Sequence, residues 1–134
     1  MIDYVVCFKE FILAAWSEIS RDNWRAAQAL QERSPRSSVS RAYYAAFSAL
    51  TQKFAHKRLS FSGKESPRHR DIPDLVNRVF PSKARAGEIR RNIRALNAMR
   101  LNADYSARRS TDIQSAKEAI RSSAIVLRAC GVKL

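Results

Sequence analysis

The chain has 134 residues, 46% of them hydrophobic, with three glycines and four prolines; this suits one domain with one core and excludes disorder or a second domain of ordinary size. Twenty-five Lys and Arg against twelve Asp and Glu leave a formal charge of +13, so the surface attracts polyanions, with nucleic acid first and an acidic protein second. Cys7 and Cys130 are far apart, with no CxxC and no Cys/His cluster, which excludes a disulfide framework or zinc site and implies a reduced, cytoplasmic setting.

From Asp3, apolar residues fall at Val5, Phe8, Ile12, Trp16 and Ile19, then at Ala27 and Leu30, which is the helical period. The spacing predicts one long helix, or two broken near Ser20, ending before Ser34-Pro35. Lys9 and Glu10 interrupt the apolar start and no small-residue cleavage site follows, so it reads as helix rather than leader. No stretch reaches transmembrane length, and no membrane partner is expected.

The next helix is predicted from Val39 to about Lys57, with Val39, Tyr43, Ala46, Phe47, Leu50 and Phe54 on one stripe. Ala42, Ala45 and Ala49 form an adjoining stripe of small side chains that permits close helix approach. That stripe, with the apolar N-terminal run, predicts a homodimer. Tyr43 is expected in the core, its hydroxyl bonded to a backbone carbonyl or reaching Asp104 or Arg100.

Leu59 to Arg70 has the Ser, Gly, Pro and basic content of a solvated loop. His69, among Lys64, Arg68 and Arg70, reads as part of that wet basic loop. His56 and His69 have no acidic or cysteine companion at ligand spacing, so no metal and no cofactor are expected.

Asp71-Ile72-Pro73 looks like a cap and an early proline opening a short helix that Pro81 closes. A long helix follows from about Lys83. The last helix opens at a capping box in Thr111-Asp112-Ile113-Gln114, buries Ile113, Ala116, Ile120 and Leu127, and stops at Gly131. The fold class is all-α, an up-and-down bundle of four to five helices. It divides into an N-terminal helical extension, residues 1–17, and a helical domain, residues 18–134.

In the long helix Ile89, Ile93, Leu96 and Ala103 recur at steps of four, three and seven, and the residue completing the series is Arg100. A guanidinium on a core-facing stripe costs free energy unless an anion meets it. Asp104, four residues on, is one such anion within the same helix. Arg85, Arg90, Arg91 and Arg94, continued by Arg108 and Arg109, sit off the apolar stripe and read either as a solvated face or as a track for a phosphodiester backbone, since arginine forks bind phosphate and stack on bases.

The run Arg41-Ala42-Tyr43-Tyr44-Ala45-Ala46-Phe47, with His69 ahead of a short amphipathic helix and Arg100 followed by Ala103-Asp104-Tyr105, resembles the HEPN superfamily of small all-α domains. The resemblance covers roughly residues 18 to 130. It implies a HEPN-like bundle, frequent in toxin–antitoxin and abortive-infection loci, and an RNA-binding or metal-independent ribonuclease-like activity in a homodimer that joins two Arg-x(4–6)-His motifs in one cleft. Here the motif's histidine is missing: its possible positions hold Tyr105, Ser106 and Ala107.

On this resemblance Arg100 is the cation aimed at a scissile phosphate, with Asp104 and Tyr105 beside it as candidate catalytic groups. A free tyrosine titrates near ~10, which makes Tyr105 a poor general base. Arg41, Arg90, Arg91, Arg94 and Arg108 are the candidate nucleic-acid ligands, and Tyr43 and His69 are supporting residues, His69 standing in for the missing acid–base group only if its loop folds over the cleft. The alternative is a non-catalytic helical adaptor whose basic face docks an acidic protein or a nucleotidyltransferase-type antitoxin, and which leaves Arg100 in a buried ion pair with Asp104. A helix-turn-helix DNA regulator fits less well, because the arginine-rich helix is long and follows Pro81.

Overall fold

A computed structural model of the chain describes residues 2–134, with side chains from Glu10 onward. Five α-helices and one 3-10 turn follow one another: α1 (Ile2–Leu30), α2 (Pro35–His56), the turn His69–Asp71, α3 (Ile72–Val79), α4 (Lys83–Tyr105) and α5 (Ile113–Ala129). No strand occurs among the described residues, so the all-α bundle expected from the periodicity is the fold found. No helix among them is long and apolar enough to cross a membrane.

α1 is one unbroken helix through Ser20. The side chains of Asp3, Val5, Cys7 and Phe8, named from the sequence, lie outside the described residues. Ser20 is buried, and its Oγ donates to the carbonyl of Ala45 at 3.0 Å, a bond between α1 and α2 where the period had left a break open.

α2 is the central helix, packed on α1, α3, α4 and α5. It begins at Pro35, earlier than the predicted Val39, because proline at the first position needs no N–H partner and brings a helical φ. The stripe from Val39 to Phe54 is buried as expected, and so is the second stripe: Ala42, Ala45 and Ala49 are 0% exposed.

This corrects the reading of those alanines as a surface for a second copy. They are used inside the chain, where the absence of bulk lets α1 and α5 close on α2. Ser38 Oγ donates to the Ala27 carbonyl at 2.6 Å, and Ser123 Oγ to the Ala42 carbonyl at 2.7 Å. A helical carbonyl has a second lone pair for such a bond, so these buried hydroxyls are satisfied.

Two caps differ from expectation. Asp71 does not cap α3; its carboxylate pairs with Arg68 Nε at 2.8 Å in the exposed turn. At α5 the cap is Asp112, which accepts from the backbone N–H and the hydroxyl of Ser115 at 2.9 and 3.0 Å, and these bonds hold its carboxyl below the usual range. Gln114 therefore has no part in a reciprocal box. α5 ends as predicted: Gly131 takes φ +82°, and Val132 N–H reaches back to the Leu127 carbonyl at 3.0 Å. Cys130 is a buried free thiol, pushed up to about 12 by its burial.

One side chain locks α4 against α2. α4 has no basic residue in its own last turn, so its terminal carbonyls need donors from elsewhere. Arg36, in the first turn of α2, donates from Nη1 to the carbonyls of Asn102 (3.1 Å), Ala103 (2.8 Å) and Ser106 (3.1 Å), and from Nη2 to that of Arg109. It also places a cation at the negative end of the helix dipole. This clamp fixes the end of α4 that carries Arg100 and Asp104.

Candidate functional site

Arg100 points inward, as the apolar series required, and is only 6% exposed. Its guanidinium lies over the rings of Tyr43 and Tyr44, with Cζ at 4.8 and 5.7 Å from their centroids. The faces of two adjacent α2 tyrosines thus stand in for most of the water around a largely desolvated charge. Nη2 and Nε both donate to Asn97 Oδ1, at 3.0 and 3.4 Å. Asp104 Oδ2 stands 3.9 Å from Nη1 and also accepts from Ser40 Oγ at 3.2 Å.

The arginine is therefore incompletely neutralised. One loose carboxylate, shared with a serine, and one neutral amide leave positive potential between α2 and α4. Asn97 is a residue that sequence reasoning missed; the signal was its place three residues before Arg100 on the same helix face.

His69 is exposed, like Lys64, Arg68 and Arg70 around it, as a wet basic loop implies, but one face of its ring is held. Pro67 is buried, the turn at His69–Asp71 folds back, and the imidazole packs on Phe47, Tyr43 and Tyr44 with centroids at 5.0, 5.5 and 6.3 Å while its outer side stays open to solvent. His69 Nδ1 meets the hydroxyl of Tyr43. This corrects the expectation of a backbone carbonyl for that hydroxyl: the loop supplies a better-placed partner. Desolvation against the rings, and then the Arg100 charge, lower the His69 pKa from its ordinary value. Burial raises that of Tyr43 far above the usual range, so it keeps its proton.

Two clefts flank this cluster. One, of about 570 Å³, lies by Ser37, Ser40, Arg41, Tyr44, Ala103 and Asp104. The other, of about 140 Å³, lies by Tyr43, His69, Arg70, Ile93, Arg94 and Asn97.

The structure gathers Arg100, Asp104, Tyr43 and His69. It does not bring Tyr105 to them: that side chain is 76% exposed, and five residues along a helix turn it about 140° from Arg100. The arginines are dispersed. Arg41 borders the first cleft and bonds Asn23 Oδ1 at 3.2 Å, while Arg94 borders the second. Arg90 holds Asn77 across α3, and Arg91 and Arg108 are exposed. Arg36, which positions Asp104, was invisible in the sequence because its partners lie on another helix. Among the described residues no group of three or more His, Cys, Asp or Glu side chains converges as a metal site.

The family model described as HEPN domain matches residues 13–133, nearly the whole chain. No curated protein and no solved structure matches it.

Proposed function

The chain belongs to the HEPN domain family, and on that premise we propose that it is an RNA-directed member, an RNA-binding and metal-independent ribonuclease-like protein of the toxin–antitoxin or defence kind. The observation that carries this reading is Arg100, a buried guanidinium whose only carboxylate partner among the described residues is a loose one at 3.9 Å. Such a residue retains attraction for an anion, and a formal charge of +13 draws a polyanion to the surface around it.

In cleavage the ribose 2′-oxygen bonds to phosphorus and the bond to the 5′-oxygen breaks. Asp104 takes the 2′-hydroxyl proton and passes one to the departing 5′-oxygen, and Arg100 stabilises the charge that builds on the phosphoryl oxygens. The protein acts as a homodimer, which would set two Arg100 centres near one groove. Phe11, 71% exposed on α1, supplies apolar surface for that contact.

The test is incubation of labelled RNA in EDTA with wild type, Arg100→Gln, Arg100→Ala and Asp104→Asn, with circular dichroism to check folding. Loss of cleavage in folded variants is the expected result; equal cleavage by all four rejects the assignment. Light scattering of the wild type reads the dimer, and a monomer at micromolar concentration rejects that part.

One observation favours a second, non-catalytic reading. Arg100 gives two of its five N–H donors to Asn97 of its own chain, and positions 105–107 hold no histidine. An adaptor with this site would use its basic face for an acidic protein or a nucleotidyltransferase-type antitoxin. A neighbouring reading frame for such a protein, and a stable complex with it in the absence of any RNA cleavage, would select this reading.

A further inference from the structure

The smaller cleft has a property that its residue types do not announce. Asn97 and His69 are neutral groups that can each donate or accept. In this site both are forced to donate. Asn97 turns Oδ1 inward to Arg100, where it takes two N–H donors, so its Nδ2 amide group is what remains for the cleft. His69 is set by Tyr43. The hydroxyl keeps its proton, and its one hydrogen-bond partner among the described residues is His69 Nδ1. The nearest charged group on its ring face is the Arg100 cation, which accepts nothing. The tyrosine O–H therefore donates to Nδ1, and the imidazole proton sits on Nε2.

The lowered pKa of His69 keeps it in this neutral form near pH 7. Arg70 and Arg94 are the charged part of a lining that also includes Tyr43, Ile72, Pro73 and Ile93, and among the described residues no carboxylate side chain borders the cleft. Asp71, the residue after Arg70, is taken by Arg68.

We propose that this cleft is a phosphate-binding subsite for the RNA backbone, in which His69 Nε2–H and Asn97 Nδ2–H act as neutral donors between the cations of Arg70 and Arg94. The proposal rests on the RNA reading above and gives it a second phosphate anchor beside the Arg100 centre. His69 in this tautomer is a binding donor; its lone pair is already engaged by Tyr43, so it is not the base. The buried Arg100–Tyr43 stack then has a further task, to set the polarity of two side chains that touch the ligand. A cleft of about 140 Å³ has room for a phosphate group.

The test measures binding of the full chain to a fluorescein-labelled single-stranded RNA across a salt series, for wild type, His69→Leu, His69→Gln, Asn97→Asp and Arg94→Ala. His69→Leu should weaken binding about fivefold, the loss of one hydrogen bond. His69→Gln should restore most of it, because its amide N–H stands where Nε2–H did. Asn97→Asp, which exchanges a donor for a carboxylate at constant volume, should weaken binding about tenfold. Arg94→Ala should reduce the salt slope by about 0.7, the value of one phosphate contact on a single strand.

Side-chain nitrogen spectra of His69 and Asn97 during a titration with inorganic phosphate form an independent arm. Equal affinity and slope for wild type and all variants overturn the subsite and leave the RNA reading standing. Phosphate-induced shifts at both residues without RNA binding keep the anion site and reject RNA as its source. No shift and no RNA binding reject both, and an Nδ1–H tautomer in the free protein overturns the donor argument.

Discussion

The cleft on the Asp104 side and the cleft on the His69 side are both lined by partners of the buried Arg100, which lines neither, and those partners answer its charge in opposite ways. In the larger, a carboxylate faces Arg100 and two serine hydroxyls accompany it; the charge is partly answered there. In the smaller, arginines and neutral donors face outward, and Arg100 acts through Asn97 and Tyr43 rather than by contact. A buried charge thus marks its surroundings twice, by attracting a counter-ion and by turning the dipoles of its neighbours. The comparison can be broken from either side.

The largest effect is expected from Arg36→Ala. It removes the donors to the Asn102 and Ala103 carbonyls of α4 and to those of Ser106 and Arg109 just beyond it, and thermal or urea unfolding should show a loss of about 2–3 kcal/mol. Because the clamp holds the Asp104 end of α4, the larger cleft should loosen while phosphate-induced shifts at His69 persist. If both clefts lose their response together, they are not separable.

Tyr43→Phe comes next, at about 1 kcal/mol in the same assay. Its sharper readout is the His69 tautomer, whose preference for Nε2–H should vanish in nitrogen spectra, whereas Arg100 keeps an aromatic face. An unchanged tautomer would show that the hydroxyl does not set it.

Asp104→Asn should alter stability by less than about 1 kcal/mol, since the ion pair is loose and partly solvated. Removing the only carboxylate paired with Arg100 among the described residues should strengthen RNA binding while it abolishes cleavage. Weaker binding would mean that Asp104 contacts the ligand favourably.

The smallest effect is the pH response of the His69 side. Desolvation against the rings, then the Arg100 charge, depress its pKa below 6.5, so the unfolded chain takes up a proton before the folded one does. Arg100 of α4, Tyr43 and Tyr44 of α2, and Arg70 beside it in the turn are the groups that face it. The stabilisation is complete above 6.5 and is lost as pH falls toward the folded-state value. Melting curves from neutral pH to about pH 5 should fall more steeply for wild type than for His69→Gln; parallel curves would contradict the shift.

Periodicity alone located the helices and predicted that Arg100 points inward, because a side chain's face on a helix follows from 3.6 residues per turn and needs no distant partner. The alanine stripe was legible as a close-packing surface, but not which helices it packs. Its neighbours proved to be α1 and α5 of the same chain, joined through Ser20 and Ser123.

Only the tertiary structure decided where His69, Arg36 and the polarity of Asn97 belong. The Tyr43–His69 contact spans 26 residues, and the Arg36 clamp reaches across 66 and more. Such pairings depend on how α2, α4 and the loop before α3 meet, and no local spacing encodes that meeting. A repeat of 3.6 specifies a face; what lies opposite the face is fixed by the packing of the whole bundle.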